Sequence, residues 1–216
     1  MQLLNSIYTR LAFNAMVTAD HQKAVKYFLK LRKKRQEAMG TNHNLGLAYL
    51  AMEAYEKAEA CFLRELELFG ENYSRCKVLA DLYYTTADAP KSLQFYQAAQ
   101  RLEADQPDLA TVKKRLAICM NADLFEKASS SRTLCKKGMQ KEQAGEMDEA
   151  LFCYMEAIKD DPTNILALNN AGACAQRQND LKRAQNYFQQ AHELSGFPAI
   201  AKNLKIIEAA FATGDI

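Results

Sequence analysis

The stretch NLGLAYLAMEAYEKAEACFLRELELF, residues 44–69, reads as two short helices meeting at a turn, and it recurs along the chain. Its Leu45-Gly46, Tyr49, Ala58 and Phe62 are matched 34 residues upstream by Leu11-Ala12, Ala15, Ala24 and Phe28. The same distance downstream stand Leu79-Ala80, Tyr83, Ser92 and Tyr96. Towards the C-terminus the series resumes: Gly138, Ala150, Tyr154 and Ala157 are answered by Gly172, Ala184, Phe188 and Ala191. A fixed period of this length means stacked helical hairpins, each burying its apolar face on its neighbours, and not one globular core.

The residues at this spacing resemble the tetratricopeptide repeat, a helix-turn-helix unit. The family pattern has a large apolar residue at repeat position 7, small ones at 8, 20 and 27, large ones at 11 and 24, and often a proline at 32. Five windows fit: 5–38, 39–72, 73–106, 131–164 and 165–198, with Pro162 at position 32 of the fourth. The resemblance implies an all-α fold, a right-handed superhelix of antiparallel hairpins forming one solenoid domain over 1–216.

The physics asks for these residue types. The two helices of a hairpin cross closely at positions 8 and 20, where only a small residue lets the backbones approach. Here the pairs are Ala12/Ala24, Gly46/Ala58, Ala80/Ser92, Gly138/Ala150 and Gly172/Ala184. Position 24 fills the space beside the crossing with Phe28, Phe62, Tyr96, Tyr154 and Phe188. Asp20, Asp88 and Asp180 fall at the turn, where a side-chain oxygen caps the second helix. All of these are expected to be scaffold.

Between Ala80 and Gly138 the register fails, ten residues short of two full repeats. Residues 107–130 are expected to form a degenerate hairpin: a helix over 108–120, a short second one over 123–128, and a fresh helix start at Ser129-Ser130-Ser131. Two readings stay open, repeat decay without consequence or a break separating two grooves. After Pro198 a capping helix is expected over 199–212, ended by Gly214. Ile200, Leu204, Ile207 and Phe211 would face the last repeat, and Lys202 and Lys205 the water.

A net charge of +2 exerts no global pull towards nucleic acid or membrane, and no apolar run is long enough to span a bilayer. Arg10 interrupts the apolar start and no basic leader precedes it, so the opening reads as a repeat helix and not a signal peptide. Cys61, Cys76, Cys119, Cys135, Cys153 and Cys174 form no C-x-x-C pair. They suit buried thiols in a reducing, cytoplasmic setting. No phosphate loop, metal-ligand spacing or nucleophile motif appears, so no enzyme activity, cofactor or metal is expected.

In the family the first helices of the hairpins line a concave groove. Carried onto this chain, the resemblance places Phe13, Met16, His43, Asn44, Leu47, Leu50, Lys77, Asp81 and Tyr84 in an N-terminal groove that is apolar with a polar rim. Asn169, Asn170 and Arg177 fall in a polar C-terminal one. Apolar side chains that the repeat itself does not need point to a peptide or partner helix as ligand. The subfamily that clamps acidic chaperone tails uses Lys, Asn and Arg where this chain has Thr9, Phe13, Ser74 and Val78, and later Cys135, Met139, Ile200 and Leu204; only Asn44 and Asn170 are kept. No such clamp is expected. Leu3, Leu4 and Ile7 give the first helix an apolar outer face, which favours self-association as a second mode. Lys23, Lys26, Lys30, Arg32, Lys33, Lys34 and Arg35 make the second helix basic: a solvated face, or one suited to an acidic protein surface ahead of nucleic acid.

Overall fold

A computed structural model describes residues 2–35, 38–102, 106, 108–195 and 198–213. Among these the chain is helical with no strand. The helices are α1 (Gln2–Val17), α2 (His21–Arg35), α3 (Thr41–Ala51), α4 (Tyr55–Phe69), α5 (Tyr73–Thr85) and α6 (Ala89–Arg101), followed by α7 (Leu109–Cys119), α8 (Ala122–Gln143), α9 (Met147–Asp160), α10 (Ile165–Arg177), α11 (Leu181–Ser195) and α12 (Pro198–Thr213). Hairpins form between α1 and α2, α3 and α4, α5 and α6, α8 and α9, and α10 and α11. No described helix is long and apolar enough to cross a membrane.

The repeat period is written into the backbone itself. Ala19, Glu53, Ala87, Gly145 and Asn179 all take left-handed φ values, between 56° and 81°. Each is the same residue of its hairpin's turn. The next amide reaches back to the carbonyl five residues earlier, as in Asp20 to Ala15, Ala54 to Tyr49 and Asp180 to Ala175, each at 2.9 Å. This closure satisfies the orphan carbonyls that end the first helix. The second helix then starts on a side-chain cap where one is available. Oδ1 of Asp20, Asp88 and Asp180 accepts from the backbone N–H of Lys23, Lys91 and Arg183 at 3.0–3.1 Å.

Close approach at the crossings is also visible. A Cβ built on Gly46 would stand 2.4 Å from the Phe62 ring, and one on Gly138 or Gly172 would meet Tyr154 or Phe188 at 2.6 and 2.8 Å. Ser92 fits by turning its hydroxyl to the Ala80 carbonyl at 3.2 Å. The position-24 rings themselves are at most 2% exposed.

The chain divides into two compact units, residues 1–102 and 103–216. In the first, Phe28 and Leu45 lie in one core cluster and Phe62, Leu79 and Leu82 in the next. In the second, Tyr154 packs with Cys135, Ala150 and Cys174, and Phe188 with Ile207 of α12. In α12 Ile200 and Ile207 are buried, Leu204 and Phe211 pack on the repeat before it, and Lys202 and Lys205 are exposed. Gly214 and the side chains of Leu3 and Leu4 lie outside the described residues.

The expected helix start at Ser129-Ser130-Ser131 is corrected by the structure, because α8 runs through it unbroken. Buried Phe125, Ala128, Ser131, Cys135 and Gly138 keep one apolar face continuous across the serines. The Ser131 hydroxyl does not cap. It donates to the Ala157 carbonyl of α9 at 2.6 Å and accepts from Asn164 Nδ2 at 2.9 Å. There is thus no separate short helix over 123–128, and α7 packs on α8 and α11. Thr111 Oγ1 donates to the Leu194 carbonyl at 2.5 Å. Arg115 donates to Oγ1 and the carbonyl of Thr163, in the α9–α10 turn, at 3.1 and 3.0 Å.

Candidate peptide-binding faces

Three residues assigned to the N-terminal groove share one support: each sits against the position-24 ring of its own hairpin. Phe13 meets Phe28 edge-on, with centroids 5.7 Å apart. The His43 ring lies 5.8 Å from Phe62, and the Tyr84 ring 6.2 Å from Tyr96. Exposure separates them. Phe13 is 45% exposed, His43 is half-buried, and Tyr84 is 3% exposed. Tyr84 was expected on the open face and is instead core, because its ring packs edge-on to Tyr96, itself fully buried. Burial pushes the His43 imidazole below its ordinary pKa, with Glu65 pulling the other way.

Met16 is half-buried against the first core cluster, and Leu47 and Leu50 are half-buried against the cluster of Phe62, Leu79 and Leu82. Each keeps part of its surface in water while its inner side is held. Asn44 Nδ2 donates to the Gly40 carbonyl at 2.7 Å, so one amide donor is used within the first turn of α3. Lys77 and Asp81 are brought together. Lys77 Nζ lies 2.8 Å from Asp81 Oδ2, and Asp81 Oδ1 accepts from the Tyr96 hydroxyl at 2.5 Å. The rim charges therefore begin as a pair fixed from below by the scaffold tyrosine.

The second unit repeats this device. The Tyr154 hydroxyl donates to Glu142 Oε2 at 2.8 Å, and Arg177 pairs with Oε1 of the same carboxylate. Burial, then the Glu142 bond, pushes the Tyr154 phenol above its ordinary pKa, so it stays a donor. Asn169 and Asn170 also meet: Asn169 Nδ2 donates to Asn170 Oδ1 at 3.3 Å, and Asn203 Nδ2 of α12 donates to Asn169 Oδ1 at 3.3 Å. Asn203 was missed because α12 reads from its pattern only as a cap. The signal was present: Asn203 lies 34 residues after Asn169, in repeat register.

These faces offer partly covered apolar side chains, amides and paired charges, a chemistry suited to holding a polypeptide. A family model described as tetratricopeptide repeat matches residues 40–72 and 131–164, and a second of the same description matches 153–186. No curated protein matches the sequence. Among solved structures, a MamA protein is 18% identical, covers 91% of this chain and 94% of its own, and has a TM-score of 0.48. YrrB, described as a TPR protein with an unusual peptide-binding site, is 18% identical, with coverage of 92% and 90% and a TM-score of 0.46. MamA from Desulfovibrio magneticus RS-1 is 15% identical, with coverage of 88% and 94% and a TM-score of 0.44. The matched segments fall on α3–α4 and α8–α11, where small residues at positions 8 and 20 pack beside a position-24 ring, and these segments of the chain are accordingly tetratricopeptide repeats.

Proposed function

We propose that this chain is a non-enzymatic protein-interaction scaffold that holds a peptide or partner helix along the first helices of its N-terminal hairpins. The observation that carries this reading is the exposed ring of Phe13, with Met16, Leu47 and Leu50 only partly covered on α1 and α3. Burying each such side chain contributes roughly 1.5–3 kcal/mol. Association costs about 4–15 kcal/mol, so a few anchors support roughly micromolar affinity. His43 and Asn44 would contact the ligand backbone, and the Lys77–Asp81 pair would form the rim. In the second unit Asn169, Asn170 and Arg177 would supply a polar contact set.

The test is selection of a random displayed peptide library against the purified chain, followed by affinities for Phe13→Ala and Leu47→Lys variants that remain helical. Enriched peptides that lose affinity for both variants support the groove. An unenriched library, or peptides indifferent to both changes, overturns it. A second reading, self-association through α1, is favoured by the exposure of Ile7 (46%) and Leu11 (36%). Light scattering over a concentration series separates the two, since a strict monomer throughout removes self-association.

A further inference from the structure

Charge is distributed very unevenly along this chain. Residues 1–35 carry eight basic side chains against one acid, a net +7 in a chain of net +2, which leaves −5 for the remainder. The basic residues concentrate on α2, whose sequence HQKAVKYFLKLRKKR contains no acid at all. Lys23, Lys26, Lys30 and Lys33 are exposed at spacings that stack them along one side of the helix. Ala24, Phe28 and Leu31 anchor another side in the core.

Ordinary solvation accounts poorly for this stripe. A solvated helix face usually mixes signs, because like charges three or four residues apart repel. The helix dipole favours lysines at the C-terminal end but disfavours Lys23 in the first turn. Lys23 is paired, at 3.0 Å, with Asp20 at the start of the helix. Among the described residues no acid pairs with Lys26, Lys30 or Lys33. Lys30 Nζ instead lies 5.1 Å from the centre of the Tyr8 ring and 5.7 Å from that of Tyr27. These two rings stack on each other at 6.0 Å and 27°. The stripe is therefore a positive ridge with a half-buried aromatic pair at its middle.

We propose that this face of α2 docks an acidic, amphipathic helical segment of a partner protein, with carboxylates one helical turn apart facing Lys23, Lys26, Lys30 and Lys33 and apolar side chains meeting the edges of Tyr8 and Tyr27. None of these residues belongs to the groove set Phe13, Met16, Leu47 and Leu50. Single-stranded nucleic acid is the poorer fit, because such ligands stack bases on open aromatic faces and here the two tyrosines stack on each other under a lysine.

The test is fluorescence anisotropy with three labelled probes: a four-turn helical peptide with Glu along one side and Leu beside it, the same peptide with Lys for Glu, and a single-stranded oligonucleotide of matching charge. The acidic peptide binds, and rising salt weakens it. The Lys26→Glu/Lys30→Glu/Lys33→Glu variant binds it at least about tenfold more weakly, since exposed charge contacts are individually small but add along the stripe. Phe13→Ala leaves binding unchanged. A Lys30→Gln/Lys33→Gln variant gives an intermediate loss without reversing charge, so a folding defect in the first variant does not decide the result. The proposal is overturned if the acidic peptide does not bind, if it binds the charge-reversed variant equally, or if the oligonucleotide binds more tightly through the same lysines.

Discussion

The Glu65 carboxylate of α4 accepts a 2.6 Å hydrogen bond from the backbone N–H of Gly40, 25 residues earlier in the chain, and a longer one of 3.4 Å from that of His43. Gly40 opens α3 and has no side chain with which to cap it. Glu65 supplies the missing cap from the other helix of the hairpin, and it is only 2% exposed. The equivalent positions of later hairpins hold Ala99, Ala157 and Ala191. Restoring the small residue, Glu65→Ala, should therefore destabilise this chain. It strands partly buried donors, at a cost towards the lower end of about 1–3 kcal/mol. Urea unfolding should show a lower midpoint, and an unchanged midpoint would remove the capping role.

Gly46→Ala places a methyl group against the buried Phe62 ring. Overpacking of this kind costs about 1–3 kcal/mol. Alanine is the better helix former by roughly 1 kcal/mol, which offsets part of that. The expected net effect is a modest loss in thermal midpoint, whereas Gly→Ala at an exposed helical site would give a gain. A raised midpoint would show that the ring moves freely.

Asn42, on α3, is fully buried, and among the described residues neither its amide oxygen nor its nitrogen has a hydrogen-bond partner. Its counterparts in other repeats are Tyr8, Cys76, Leu134 and Leu168. Asn42→Leu removes the amide while keeping the branching of the side chain, as Leu134 and Leu168 do at the same repeat position, and should stabilise the chain by about 1–3 kcal/mol. Calorimetry checks the direction. A destabilised variant would mean that the amide is bonded in solution.

Arg115→Ala with Thr111→Val should loosen α7 from the α9–α10 turn and the end of α11. Amide exchange should accelerate over 109–119 while the α10–α11 hairpin keeps its protection. Exchange that rises equally in both would show that α7 is part of one cooperative core with them.

Burial pushes the Cys135 thiol up to about 11. The folded chain therefore holds this proton more tightly than the unfolded chain, whose thiol titrates near the ordinary value. Stability from this site is complete below the unfolded pKa and is lost as pH rises through the folded one. Unfolding midpoints should fall between about pH 9 and 11, and Cys135→Ser should flatten that fall. An unchanged slope in the serine variant would sink the assignment.

The sequence register carried the hairpins because positions 8, 20 and 24 are local demands: a small residue meets a ring about half a repeat away. Asp20, Asp88 and Asp180 were legible for the same reason, since a cap acts over three residues. The failures involve partners that no period predicts. Ser131 looks like a helix start until the Ala157 carbonyl takes its hydroxyl. Tyr84 sits at a position that usually faces the groove, but its burial depends on the packing around Tyr96. Glu65 breaks the small-residue rule at position 27, and only the fold shows that its carboxylate replaces a cap that Gly40 cannot make.

The continuity of α8 has a mechanical consequence. At 22 residues it is about 33 Å long. A joint at the three serines would let the first two turns swing without disturbing the hairpin that follows. An unbroken rod acts as a lever arm. A tilt imposed where Phe125 and Ala128 are buried would be carried along the same helix to Gly138, which packs against the Tyr154 ring.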